Sequence, residues 1–233
     1  LARNTLYNLL GQVAPFVAIL IALPILTQQL GAARFGVLGI AWVVLGYFGL
    51  FDFGLGRVIT KMIAEKLASD SEEEINDVIW TGLGFMLFIG LAIMLLLLIL
   101  APVFVTSLLK IPIELQPESR IAFSLLGLCV PFVILTSGLR AILEAYQRFG
   151  VINIIRTING VLLYVAPLAV LPFTQAIHIV VLSIVIVRVV ITVLYAIVCQ
   201  RSVEHMQRPL LRRELFAPMF KLGGWMSVSN IIG

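Results

Sequence analysis

No charged side chain stands between Arg3 and Arg34, and none between Asp77 and Lys110. Runs of that length decide what solvent the chain lives in. About 20 apolar residues carry a helix across the hydrocarbon core of a bilayer. Inside that core the backbone must satisfy its own hydrogen bonds, and a helix does so within one segment. Six runs are long enough, at about 7–30, 35–60, 78–109, 121–147, 150–172 and 177–199. Composition agrees, with 61% hydrophobic and only 12% charged residues. A soluble domain carries about 25% charged residues. The sequence therefore predicts an all-α membrane protein with six transmembrane helices. A seventh apolar run starts near Phe216 and is still apolar at Gly233, so the chain reads as a piece of something longer.

The net charge is +4. In a soluble protein that excess would suggest nucleic acid; here it sits in short connections, where it sets topology and meets anionic head groups. With a cytoplasmic N-terminus, Arg3, Arg57, Lys61, Lys66, Arg140, Arg148, Arg201, Arg208, Arg212, Arg213 and Lys221 fall inside. Only Arg34, Lys110 and Arg120 fall outside. That bias predicts an N-in orientation. Cys129 and Cys199 both lie in apolar runs, at opposite faces under that topology, so no disulfide is expected. The first apolar run is too long for a signal peptide.

The longest polar connection, Lys61–Asp77, predicts an amphipathic stretch over Met62–Leu67 and a helix cap at Ser71 with Glu74. There is also an internal echo. Gly11-Gln-Val-Ala-Pro15-Phe-Val17 resembles Gly127-Leu-Cys-Val-Pro131-Phe-Val133, and Arg34-Phe-Gly-Val37 matches Arg148-Phe-Gly-Val151. Either the chain carries an inverted repeat of three helices, or apolar letters coincide.

An ionisable side chain inside a span costs about 2.5–3.5 kcal/mol at mid-helix on insertion scales, and it usually faces a bundle interior or a wet cavity. Arg188 lies roughly 16 Å into the sixth run at 1.5 Å per residue. Thr192 and Tyr195 follow at i+4 and i+7 on one face, which suggests the wall of an aqueous or ligand-filled cavity; a structural Arg paired with a neighbouring helix is the alternative. Arg156 in the fifth run shares a face with Asn153, Asn159 and Gly160, and snorkelling to head groups is its alternative. Asp52 and Arg57 close the second run; Asp52 reads as a counter-ion for Arg57, Arg156 or Arg188, or as a coupling-ion site. Gly54 and Gly56 permit close packing or a kink. Asn8 and Gln12 share a face of the first run, and Trp42, Trp80 and Trp225 suit helix packing or the interface belt.

Phosphate-loop, dinucleotide-binding and zinc-protease motifs are missing, and no Cys/His cluster has metal spacing. No cofactor is expected. No outer connection is long enough for a catalytic domain, so an enzyme is disfavoured.

The order of several strings resembles a known family. Asn8-Leu-Leu-Gly-Gln and Leu23-Pro24-Ile-Leu-Thr-Gln-Gln-Leu-Gly31-Ala-Ala-Arg34-Phe-Gly36 look like the opening of polysaccharide and lipid-linked oligosaccharide flippases. These belong to the multidrug/oligosaccharidyl-lipid/polysaccharide exporter superfamily. Phe51-Asp52-Phe-Gly-Leu-Gly56 is similar to the end of their second helix, Arg140 to Phe149 to their helix 4–5 junction, and Phe220-Lys-Leu-Gly-Gly-Trp225 to the start of helix 7. The resemblance implies a two-lobe transporter with this chain as its N-terminal lobe. Residues 1–200 would be the six-helix lobe, 201–215 a cytoplasmic linker, and 216–233 the start of the second lobe. It implies alternating access for an undecaprenyl-pyrophosphate-linked glycan, moved from the cytoplasmic to the outer leaflet of a bacterial or archaeal cell membrane.

The residues fit that implication. A pyrophosphate head group cannot cross hydrocarbon unaided, and guanidinium groups are planar donors suited to phosphate oxygens. Arg156 and Arg188 would take the phosphates, with Asn159, Thr192 and Tyr195 on sugar hydroxyls. Partners would be the bilayer, the lipid-linked glycan, and polymerase or glycosyltransferase proteins. A cation-coupled multidrug exporter of the same superfamily is the first alternative, and a membrane glycosyltransferase or ligase the second.

Overall fold

The computed structural model describes residues 2–48, 52, 54–69, 73–109, 111–203, 212, 214, 216 and 218–224; the side chains of 2–12, 73 and 108 fall outside it. The expected pairing of Asn8 with Gln12, the Ser71 cap and Trp225 therefore lie outside the described residues. Every regular element among those residues is helical: α1 Ala2–Phe48, α2 Leu55–Ala68, α3 Glu73–Val103, α4 Gln116–Ala145, α5 Phe149–Val170 and α6 Ile177–Ser202. A π-turn, Phe104–Leu108, extends α3, and a 3-10 turn, Ile113–Leu115, precedes α4.

Five helical stretches are long and apolar enough to cross a membrane. The first, Val13–Phe48, has 36 residues. A straight helix of that length would run about 54 Å, far beyond a hydrocarbon core of about 30 Å. It is not straight. Gly31 sits at φ 72° and ψ 165°, outside helical space, and divides α1 into two limbs. Within Val13–Phe48 the parts before and after Gly31 cover roughly 18 and 17 residues, each close to one crossing. Only glycine adopts that backbone conformation without strain. A Cβ at Gly31 would meet no atom within 4 Å, so the backbone alone resists substitution. Gly31→Ala is expected to cost about 1–3 kcal/mol, read as a lower melting temperature in detergent.

The apolar run expected over 35–60 is two pieces. α1 ends at Phe48, and α2 begins at Leu55 behind Gly54, whose φ of 70° is left-handed. α2 is amphipathic, burying Leu55, Val58, Ile59 and Ile63 while Arg57 and Lys61 stay exposed. The stretch expected over Met62–Leu67 is its second half.

Contacts sort the chain into two compact units. The first comprises 1–46, 93–130 and 153–191. Here Glu118 of α4 holds three elements. It pairs with Arg34 of α1 at 3.1 Å and accepts the Ile177 N–H at the start of α6 at 3.1 Å. A carboxylate there also opposes the positive end of the α6 dipole. Gly127 of α4 lies against Leu97 and Leu98 of α3.

The second unit comprises 47–92, 131–152 and 192–233. Small residues let its helices close on each other. A Cβ built on Gly90 of α3 would stand 2.8 Å from Pro131 Cα of α4, and one on Gly82 2.8 Å from Ile59 Cδ1 of α2. α4 ends where Gln147 turns left-handed at φ 56°. The Arg148 and Gln147 N–H groups donate back to Leu143 O and Glu144 O, which satisfies carbonyls the helix end leaves open.

Candidate functional site

In the first unit, three of the sequence-derived candidates lie on α5 and α6. Arg188 is half-buried, with its Nε sealed from solvent. Arg156 is exposed. It shares a stripe of α5 with Gly160 and Tyr164, at i+4 and i+8. That stripe turns toward α1. A Cβ on Gly160 would stand 2.7 Å from Pro15 Cγ, and the Tyr164 ring meets Trp42 edge-on at 5.2 Å. Phe35 extends the aromatic group, 6.4 Å from Trp42. Asn159 is half-buried beside the stripe, and among the described residues its Oδ1 is sealed with no hydrogen-bond partner; the same holds for Trp42 Nε1. Unsatisfied buried polar atoms are costly, so both groups stand to gain from a polar ligand. The seam therefore offers a cation, an amide and an indole N–H beside aromatic rings, groups suited to an anion bearing hydroxyls.

In the second unit, Thr192 and Tyr195 are buried and turned to neighbouring helices. Thr192 Oγ1 lies 2.9 Å from Thr136 Oγ1 and donates to Phe132 O of α4 at 3.1 Å. Tyr195 OH donates to Ile152 O of α5 at 3.5 Å. Both hydroxyls are engaged in helix packing, not presented as an open wall. Periodicity placed them on one stripe with Arg188 but could not say what that stripe faces.

Asp52 is half-buried between α1 and α2. Its Oδ1 accepts the Gly54 N–H at 3.0 Å, and its Oδ2 accepts the Ser137 hydroxyl at 2.6 Å. Both of these donors are neutral. Gly56 makes the approach feasible, since a Cβ there would stand 3.1 Å from Ser137 Oγ. Arg57 is exposed on α2. One turn on, Thr60 donates to Ala141 O at 3.0 Å, so α2 and α4 share a polar seam. Ser137→Ala removes a hydrogen bond to a charged group, worth about 1.5–3 kcal/mol. A lowered melting temperature with unaltered helical content is the expected result.

Sequence reasoning missed Ser137 and Glu118. Ser137-Gly138 in an apolar helix was a usable signal for the first. Glu118 carries no local signal, because its partners are 84 and 59 residues away. Both cysteines are free thiols. Among the described residues no group of three or more His, Cys, Asp or Glu side chains could hold a metal.

Comparisons with known proteins agree with this architecture. The family model described as "Polysaccharide biosynthesis protein" matches residues 1–233. The "Putative O-antigen transporter" of Shigella flexneri is 32% identical over 230 residues, covering 99% of this chain and 54% of that protein. The chain thus spans about half the length of that curated relative. Two solved structures share the fold: a point mutant of a MATE protein, TM-score 0.79 at 16% identity, and a MOP-superfamily transporter from Pyrococcus furiosus, TM-score 0.75 at 15% identity. Each match covers 99% of this chain and 52% of the other.

Proposed function

The chain belongs to the polysaccharide biosynthesis protein family, and from that premise we propose that it is half of a flippase for a lipid-linked oligosaccharide. The substrate is an undecaprenyl-pyrophosphate glycan, carried from the cytoplasmic to the outer leaflet by alternating access for cell-surface polysaccharide assembly. The membrane is a bacterial or archaeal cell membrane, with the N-terminus cytoplasmic.

The observation that carries this reading is the two guanidinium groups, Arg156 exposed on α5 and Arg188 half-buried on α6, in the membrane-length helices of one unit. Guanidinium forks match phosphate oxygens, and a pyrophosphate needs such replacement partners when it leaves water. A relative named as an O-antigen transporter supports the same substrate class. A drug exporter for organic cations would need acidic groups in these helices. Asp52 is a poor candidate, since it lies beyond the end of α1 and is already held by Ser137 and Gly54. The proposed roles of Asn159 on sugar hydroxyls and of Arg156 and Arg188 on phosphates follow. For Thr192 and Tyr195, contact with substrate would require leaving their α4 and α5 partners.

The test is transport by the full-length protein in sealed vesicles. A fluorescently labelled lipid-pyrophosphate oligosaccharide should move between leaflets, and an organic cation dye should not be expelled. Dye export without glycan-lipid movement overturns the assignment.

A further inference from the structure

Residues after α6 return to α3. The Arg212 guanidinium lies 2.5 Å from Asp77, whose side chain is only 7% exposed. The Arg212 backbone N–H donates to Thr81 Oγ1 at 3.0 Å, and Thr81 is fully buried. Phe85 meets Phe216 at 5.4 Å and Phe220 at 6.2 Å, both edge-on. Met219 is fully buried, and its methyl would stand 3.7 Å from a Cβ on Gly82. Asp77, Thr81 and Phe85 are spaced four apart and so form one stripe of α3. Arg212, Phe216 and Phe220 keep the same spacing. Arg212, Phe216 and Phe220 meet that stripe with charge at one end and aromatic rings at the other, and so fasten to α3.

We propose that residues 212–221 are a strap that moves with α3 as one body, so that the joint leading to the rest of the protein lies beyond it, at Gly223-Gly224. The inference rests on the alternating-access reading above, in which two halves change their mutual angle. Release of Arg212 would leave a buried carboxylate without its cation, and such breaks are strongly unfavourable. The aromatic and methionine contacts would be lost as well. A glycine pair is a common site of helix bending. A Cβ at Gly224 would meet none of the described residues within 4 Å.

The test places cysteines at Asp77 and Arg212 in the full-length protein, with Phe85→Cys and Phe216→Cys as a second pair. Oxidation should link at least one pair, identified by mass spectrometry of the digested protein. Transport should then continue at the level of the reduced protein. If neither pair links, or if linking stops transport, the strap does not travel with α3 and the proposal falls. Gly224→Ala adds no clash and only stiffens the helix; it should slow transport about fivefold, and an unchanged rate removes the joint. The two readings fail separately: a wild type that moves no lipid-linked glycan sinks the flippase, while cross-linking still reports the strap.

Discussion

On the proposed flippase reading, Arg188→Gln in the full-length protein is expected to reduce glycan-lipid translocation at least about a hundredfold while leaving the protein folded, because two or more charge-assisted hydrogen bonds of about 1.5–3 kcal/mol each, proposed between Arg188 and the substrate phosphate, are removed. The two halves of that expectation have opposite signs. A guanidinium inside a span carries an insertion cost of about 2.5–3.5 kcal/mol. Glutamine relieves that cost, so melting temperature should hold or rise. An Arg that merely braces the bundle would behave otherwise, and its loss would lower melting temperature along with activity. Arg188→Lys separates charge from geometry. Lysine keeps the charge but lacks the planar fork, so partial transport is expected. The measurement is leaflet-transfer rate at matched protein levels, with melting temperature on the same samples. Unimpaired transport by Arg188→Gln would remove Arg188 from the substrate site.

The same residue marks how far the sequence could be read. Charge-free runs located the long helices well, because an apolar run of that length has one stable form in lipid. α6 begins at Ile177, as read from the run, and extends three residues past Cys199. Where apolar letters continue across a break, the reading failed. The run over 35–60 looks like one span, yet a separate helix, α2, starts at Leu55 behind the left-handed Gly54. The local cue was Gly54, already a kink candidate; the deciding term, Asp52 held by Ser137, comes from a residue 85 positions away. Polar stripes were legible as stripes. What faced them was not, because helical period gives direction about one axis and says nothing of the neighbour. Thr192 therefore turned out to be bonded to α4, whereas Arg156, read by the same rule, is exposed.

Gly90→Leu should prevent α3 from seating on α4, and this is the largest structural effect expected of any single substitution here. The reason lies in which atoms would be struck. At Gly90 the nearest atom to an added Cβ is a backbone carbon, Pro131 Cα at 2.8 Å, followed by Pro131 Cβ at 3.3 Å and N at 3.4 Å. A backbone atom cannot rotate away as a side-chain end can. At Gly138 the struck atoms are Met86 Sδ and Leu83 Cδ2, which have rotamers to use. Separation of the helices is the only relief at Gly90. For Gly90→Ala that strain costs about 1–3 kcal/mol. Leucine adds three more carbons in the same direction, beyond what any small shift accommodates. α3 and α4 also meet where Gly138 faces Met86 and Leu83, in the same unit, so the loss spreads to those contacts. Gly39→Ala supplies the control, since nothing lies within 4 Å of its Cβ position on α1. It should be neutral or stabilising by up to about 1 kcal/mol through helix propensity alone. Size-exclusion profile and melting temperature in detergent decide the matter. Gly90→Ala should melt earlier, Gly90→Leu should give no monodisperse folded peak, and a normal peak from Gly90→Leu would mean that α3 and α4 are not packed backbone to backbone at this point.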